Sequence, residues 1–408
     1  MDIRPILTTL RRHKTAAALI VFEVALTCAI ICNAVFLIQN RIERMQRPSG
    51  MVENELVRIA VQSINAQGEK AAQTQSDLAA LRALPGVKAA TITNQVRYGD
   101  SSWNSGFSLS PDQNIPTASA STYLGDTQFV KTLGLKLIAG RDFTPDERVT
   151  FSKLREPGAN LPVPAAIVTR AFGEAMYPGQ DPVGKSLYSW GEAPTRIVGV
   201  VEHLLRPNDR LGTDNNDYSV IFPVEMSYDS GLYLLRVDPA RRQEVLKAAS
   251  ETLSKNGPVR ILSQQNGMVE DMANKFYLTD RSMVWLLGGV CISLLIVTAL
   301  GIVGLASFWV QQRTKQIGVR RALGATRGQI LRYFQTENFL LTSIGIVLGM
   351  ALAFAINLAL MKFYELPRLP ALYLPLGALC LWVLGQFAVY GPARRAAMVP
   401  PALATRSA

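Results

Sequence analysis

The rhythm of hydrophobic and polar positions divides the chain into two kinds of segment. Four stretches, Thr15–Gln39, Ser282–Gln312, Asn338–Met361 and Leu369–Ala393, are apolar almost throughout. Each exceeds the roughly 20 residues that cross a bilayer core of about 30 Å as a helix, so each predicts a membrane span. The run that ends the first span, Gln39-Asn-Arg-Ile-Glu-Arg44, has no small-residue cleavage pattern. That span is therefore expected to remain as an anchor rather than be removed as a signal peptide.

Between the first two spans, over residues 41–281, the period changes. Glu55–Val61 alternates as a strand, Thr74–Leu84 sets Leu78, Leu81 and Leu84 at helical spacing, and Val87–Thr93 follows the Pro85-Gly86 break as a second strand. The same order returns in Leu232–Val237, in Pro239–Lys255 with Val245, Ala249 and Leu253 on one face, and in Val259–Leu262. Two β-α-β units so far apart predict one ferredoxin-like subdomain interrupted by an insertion. The insertion, about residues 100–202, is rich in Gly, Pro and Ser and reads as mostly β with a helix near Thr169–Met176. The fold class predicted is a membrane protein, an α-helical four-span bundle plus a mixed α+β extracytoplasmic domain.

Charge orients the spans. Arg4, Arg11, Arg12 and Lys14 precede the first; Arg313, Lys315, Arg320, Arg321, Arg327 and Arg332 lie between the second and third; Arg394, Arg395 and Arg406 follow the fourth. By the positive-inside rule these three segments face the cytoplasm, with both termini, and the large domain is outside. Residues 40–281 carry 27 basic and 27 acidic residues, so the net charge of +11 comes from positions flanking the membrane. A neutral folded domain offers no basic face for nucleic acid. Cys28, Cys32, Cys291 and Cys380 all fall in spans, and His13 and His203 stand on opposite sides of the membrane. The exported domain thus has neither a disulfide framework nor a Cys/His metal site.

One motif misleads. Gly179–Ser186, within PGQDPVGKSL, satisfies the phosphate-loop pattern G-x-x-x-x-G-K-[ST]. A phosphate loop needs a buried strand before it and a helix opening at its Lys-Ser. Here a helical segment, Arg170–Met176, precedes it, Pro182 removes an amide, and strands are expected at Ser186–Trp190 and Arg196–Val201. The stretch is read as a turn into a hairpin.

Three smaller features complete the membrane part. Ile3, Ile6, Leu7 and Leu10 at helical spacing predict a short amphipathic helix on the inner leaflet. Gly345 and Gly349 form a G-x-x-x-G pair through which another helix can approach the third span. Glu23, an acid inside the first span, is expected to face protein, to be protonated or to snorkel. With no second intramembrane acid or histidine to continue it, a proton relay is disfavoured.

In residues 313–337 the charges are interleaved with Ile317, Val319, Ala322 and Leu323, and Gly324-Ala325 marks a break between two short helices. Such a partly apolar basic hairpin can seat in a groove of a partner. Arg313-Thr-Lys-Gln-Ile-Gly-Val-Arg-Arg-Ala-Leu-Gly-Ala-Thr-Arg327 closely resembles the signature that follows the second helix of FtsX-type permeases, and Pro392–Ala397 resembles their tail. Phe129–Phe143, Ala166–Phe172, Asp181–Lys185 and Ile197–Val201 resemble the periplasmic core of MacB-like permeases.

The resemblance implies an ABC transporter permease of the mechanotransmission kind in a bacterial inner membrane, working as a dimer with a second permease, homo- or heteromeric. It implies an ATPase subunit dimer that binds ATP and Mg, with no cofactor or catalytic residue in this chain. A periplasmic adaptor and an outer-membrane channel are the further partners implied, and the activity implied is export or efflux. The ATPase-coupling residues it implies are Arg313, Lys315, Gln316, Ile317, Gly318, Arg320, Arg321, Ala322, Leu323, Gly324 and Ala325. Family members commonly carry Glu at the position of Gln316, so no ion pair is expected there. An FtsX-like regulator that activates a periplasmic partner without moving substrate shares the same signature and is the alternative.

Overall fold

A computed structural model describes residues 14–63, 69–100, 102–156, 161–208, 215–364 and 368–400. The amphipathic segment at Ile3–Leu10 and Arg406 lie outside them. The chain forms two compact units, one from the segments ending at Gln46 and beginning at Thr279, the other from Arg47–Leu278.

In the second unit, β1 (Leu56–Ser63), α2 (Lys70–Arg82) and β2 (Val87–Thr93) make the first β-α-β unit, numbering the membrane helix Lys14–Gln46 as α1. The inserted subdomain then runs through β3 (Asn104–Phe107), β4 (Ala118–Leu124), α3 (Phe129–Leu133), β5 (Leu137–Gly140), β6 (Val149–Thr150) and α4 (Phe151–Leu154). It continues through β7 (Ala165–Thr169), α5 (Arg170–Met176), β8 (Ser186–Leu187), β9 (Thr195–Val201), β10 (Ser219–Phe222) and β11 (Val224–Glu225). The chain returns in β12 (Leu232–Val237), α6 (Arg242–Lys255), β13 (Arg260–Leu262), β14 (Gly267–Met268) and α7 (Val269–Phe276).

The first sheet has the order β13-β1-β12-β2, with antiparallel pairing between each pair of neighbours. That order is the ferredoxin-like arrangement expected from the two β-α-β units. One face carries Val57, Ile59, Tyr233 and Leu235 against Leu78 and Leu81 of α2 and Val245, Ala249 and Leu253 of α6. Across this layer Arg260 of β13 donates to both Asp77 oxygens (2.5 and 2.8 Å), and Tyr233 Oη donates to the same carboxylate at 2.6 Å. A fully buried charge pair costs several kcal/mol of desolvation unless its lone pairs are filled, and here they are.

The second sheet runs β3-β4-β10-β7-β9-β5. It reaches Phe222, so the insertion extends past the expected end at residue 202: β10 lies between β4 and β7 and cannot be separated from them. The strand expected at Ser186–Trp190 is only the two-residue β8, paired with β9.

The other unit holds α1, α8 (Leu278–Gln312), α9 (Thr314–Ala322), α10 (Arg327–Tyr364) and α11 (Tyr373–Ala397). Four of these helices are long and apolar enough to cross a membrane. At 1.5 Å per residue, the 33 residues of α1 span about 50 Å, more than the bilayer core. The apolar limits thus mark the membrane, while the helices run on beyond it.

The core of this unit is built on α1, with Ile20, Val24, Cys28 and Cys32 packed among Leu341, Ile346, Ala353, Ala378 and Leu381. Gly345 and Gly349 face α1: a Cβ on Gly349 would stand 2.5 Å from that of Cys28, and one on Gly345 2.8 Å from that of Val24. Glu23 is half-buried, its carboxylate against Gly301 of α8, and one turn on Thr27 Oγ1 shares a 2.8 Å hydrogen bond with Thr298 Oγ1. Elsewhere α8 buries Cys291, Ile302, Ala306 and Trp309 but leaves much of its surface open, with Trp285 and Leu300 more than half exposed.

Candidate coupling site

The residues after α8 form a short helix fastened on three sides. At the junction Arg313 N–H donates to Trp309 C=O at 3.1 Å, and Thr314 Oγ1 donates to Val310 C=O at 3.0 Å, so α9 leaves α8 with little slack. Arg313 Nη1 then lies 3.0 and 2.9 Å from the two carboxylate oxygens of Glu337 on α10. The side chains are 7% and 2% exposed, and the guanidinium carbon is 5.5 Å from the Trp309 ring centre.

The second fastening is apolar. Ile317 is buried with Val310, Ile330, Phe334, Ala393 and Ala396, so one cluster joins α8, α9, α10 and α11. The third is Arg321, which donates to Ala397 C=O (3.1 Å) and Val399 C=O (2.7 Å), carbonyls left over at the end of α11. A cation there also meets the negative end of the helix dipole.

α9 stops sharply for a local reason. Gly324 takes φ +96°, Ala325 N–H donates to Arg320 C=O (3.0 Å) and Gly324 N–H to Arg321 C=O (3.1 Å), the Schellman pattern. Thr326 then caps the next helix, exchanging hydrogen bonds with Gln329. The break expected at Gly324-Ala325 is present, but the second helix is the 38-residue α10 rather than a short one. The membrane helix itself begins at Arg327.

The eleven residues selected from sequence therefore separate. Arg313, Ile317 and Gly318 are buried inside the chain; Arg321 and Ala325 are half-buried. Ile317, expected to seat in a partner's groove, is used in the chain's own core, because its face of α9 turns toward α10 and α11. Lys315, Gln316, Arg320, Ala322, Leu323 and Gly324 are exposed, as is Val319. Arg320 is 5.0 Å from the Tyr333 ring centre. Leu323 is 83% exposed and Val319 51%, one turn apart, so they form an apolar step among basic groups.

Glu337 was missed by sequence reasoning. Its signal was available: it is the lone acid among six basic residues over 313–337.

The phosphate-loop pattern has the geometry of a turn. The amides of Gly179, Gln180, Val183, Gly184 and Lys185 all donate within the chain, to Glu174, Tyr177, Asp181, Ile197 and Pro182. They do not converge on a common point. Lys185 Nζ donates to Gln180 Oε1 at 3.1 Å.

Comparison with known proteins accords with this architecture. Residues 21–253 match the MacB-like periplasmic core domain, and residues 288–401 match the FtsX-like permease C-terminal domain. The chain belongs to the MacB-like permease family. The resemblance read from the exported domain and from Arg313–Arg327 is thereby borne out.

A macrolide export ATP-binding/permease protein MacB of Rhodospirillum rubrum is 29% identical over 255 residues, covering 59% of this chain and 38% of that protein. A pyoverdine export ATP-binding/permease protein PvdT of Pseudomonas syringae is 25% identical over 418 residues, 98% of this chain and 58% of the relative. The chain thus spans between about two and three fifths of the length of these relatives. Among solved structures, the periplasmic region of MacB from Actinobacillus actinomycetemcomitans aligns with 57% of this chain and 97% of its own, at 13% identity and a TM-score of 0.33.

Proposed function

We propose that this permease converts ATP hydrolysis by a separate ATPase subunit into movement of its exported domain, and so drives export. The observation that carries the reading is the pairing of an exposed Val319/Leu323 step with the three fastenings beneath it. A partner that grips the step moves a body already tied to α8, α10 and α11. From α9 the displacement passes into α8, a rod of 35 residues and about 50 Å, joined through Tyr277 alone to α7 of the exported domain. At the outer end of α8, Asp280 pairs with Arg41 and with Arg44 of α1 (3.1 Å to Arg44), so the first two membrane helices are held together there. ATP and Mg belong to the partner in this reading. A second permease, a periplasmic adaptor and an outer-membrane channel complete the assembly, with both termini cytoplasmic.

The test is Leu323→Asp. Burying a leucine contributes roughly 1.5–3 kcal/mol, and a carboxylate left in an apolar groove costs more. At tenfold per about 1.4 kcal/mol, ATPase recruitment should weaken by at least about a hundredfold. Co-purification of the tagged permease with its ATPase, beside an unchanged melt of the permease, reads this out. A variant that keeps its ATPase and full transport would mean that the loop serves only to set topology.

A further inference from the structure

The exported unit holds a cleft of about 490 Å³, within the size range of small-molecule sites. It opens on the face of the first sheet opposite α2 and α6, where Arg58 of β1 projects. Met272 and Phe276 of α7, Leu232 of β12, Val96 and Tyr98 make its apolar wall.

Two observations set this cleft apart from a packing gap. The first is Arg58. Its Nη1 donates to Gln265 C=O at 2.8 Å, while its Nε is buried and has no hydrogen-bond partner among the described residues. An unfilled buried donor on a cation is costly, and burial here holds the guanidinium below its ordinary pKa. The guanidinium lines the cleft, where a carboxylate can pair with it through charge-assisted hydrogen bonds.

The second is Tyr98, at φ +72°, a left-handed conformation that bulky side chains rarely adopt. It is held there by its N–H to Pro207 C=O (2.9 Å) and by its hydroxyl to Glu53. Its ring stands edge-on to Phe276 at 5.5 Å, with the Arg97 guanidinium 5.2 and 5.6 Å from the two ring centres. Strain of this kind persists where the surroundings over-determine it, and here it fixes one wall of the cleft.

Charge selects the ligand. Arg58 and Lys275 are the basic lining groups and Asp100 the acidic one, a balance of one positive charge that suits a monoanion better than a phosphate dianion. We infer that this cleft binds a small apolar carboxylic acid, its carboxylate on the guanidinium of Arg58 and its body against Tyr98, Met272 and Phe276.

The test uses the full chain in phosphatidylcholine nanodiscs, which carry no anionic headgroup. The probes are dansyl-phenylalanine, its C-terminal amide and its phosphonic acid analogue, followed by the fluorescence gained on burial. The carboxylate should bind at least roughly tenfold tighter than the amide. Arg58→Gln should erase that preference, and Arg58→Lys, which keeps the charge without the fork, should reduce it. Arg196→Gln, at an exposed position of β9 in the other sheet, should leave it intact. If Arg58→Gln melts early, Met272→Glu replaces it: the chain's own carboxylate in the cleft should weaken the acid more than the amide. Equal binding of acid and amide, a preference that survives Arg58→Gln, or tighter binding of the phosphonate would each overturn the assignment.

Discussion

Arg313 and Glu337 meet in a buried contact in which one guanidinium nitrogen bridges both carboxylate oxygens, at 3.0 and 2.9 Å. The pair joins the first residue after α8 to the residue just before the apolar run in α10. Removing one partner of a buried pair strands the other's charge, at about 3–5 kcal/mol, whereas replacing both with apolar residues is often close to neutral. Arg313→Ala and Glu337→Ala should each lower the stability of the purified permease by that amount, and Arg313→Met with Glu337→Leu by clearly less. Equal losses in the single and double variants, measured by thermal melts in detergent, would show that the charges do not act as a pair.

Gly349 of α10 and Gly304 of α8 should respond oppositely to a methyl group. A Cβ on Gly349 meets the Cys28 Cβ and the Ala25 carbonyl oxygen at 2.7 Å or less, while one on Gly304 meets nothing within 4 Å. Overpacking a close helix contact costs about 1–3 kcal/mol. Gly349→Ala should lower the melting temperature, and Gly304→Ala should leave it unchanged or raise it through helix propensity.

Topology can be read chemically in a background from which the four native cysteines have been removed. Ser152→Cys, on the exported domain, should react with an impermeant maleimide added to intact cells, and Arg327→Cys should react only after lysis. Labelling of the second variant in sealed cells would invert the orientation and remove the basis of the coupling mechanism.

Lys185→Ala should leave ATP hydrolysis by the assembled complex within about twofold of the unmodified level, the range of an exposed substitution. The lysine of a working phosphate loop would instead abolish turnover with the complex intact.

Acid should weaken the exported domain partly through Glu55. Hydrogen bonds from Arg236 (2.5 Å) and Lys88 (3.0 Å) hold its carboxyl below the ordinary value of 4.5. Because the folded value is the lower one, the stabilisation is complete above about pH 4.5 and is lost as pH falls toward the folded value. Melts of the Glu55→Gln permease should show a flatter decline over that acid range; an unchanged slope would assign the acid sensitivity to other carboxylates.

Much of this protein was legible from local pattern alone. The four apolar runs, the strands Val87–Thr93 and Leu232–Val237 and the break at Gly324 depend on length, period and a glycine's freedom at positive φ, all properties of a few consecutive residues. The phosphate-loop pattern was correctly read as a turn for the same reason, since its neighbours already had the wrong elements. What required the tertiary structure were contacts between residues distant in sequence: Glu337 against Arg313, Ile317 turned inward, β10 inserted between β4 and β7, and Arg58 brought to line a cleft. A helix face becomes interior or surface only when other helices arrive on one side of it. A guanidinium becomes a structural tie or a ligand site only when folding decides which acceptors come within about 3 Å.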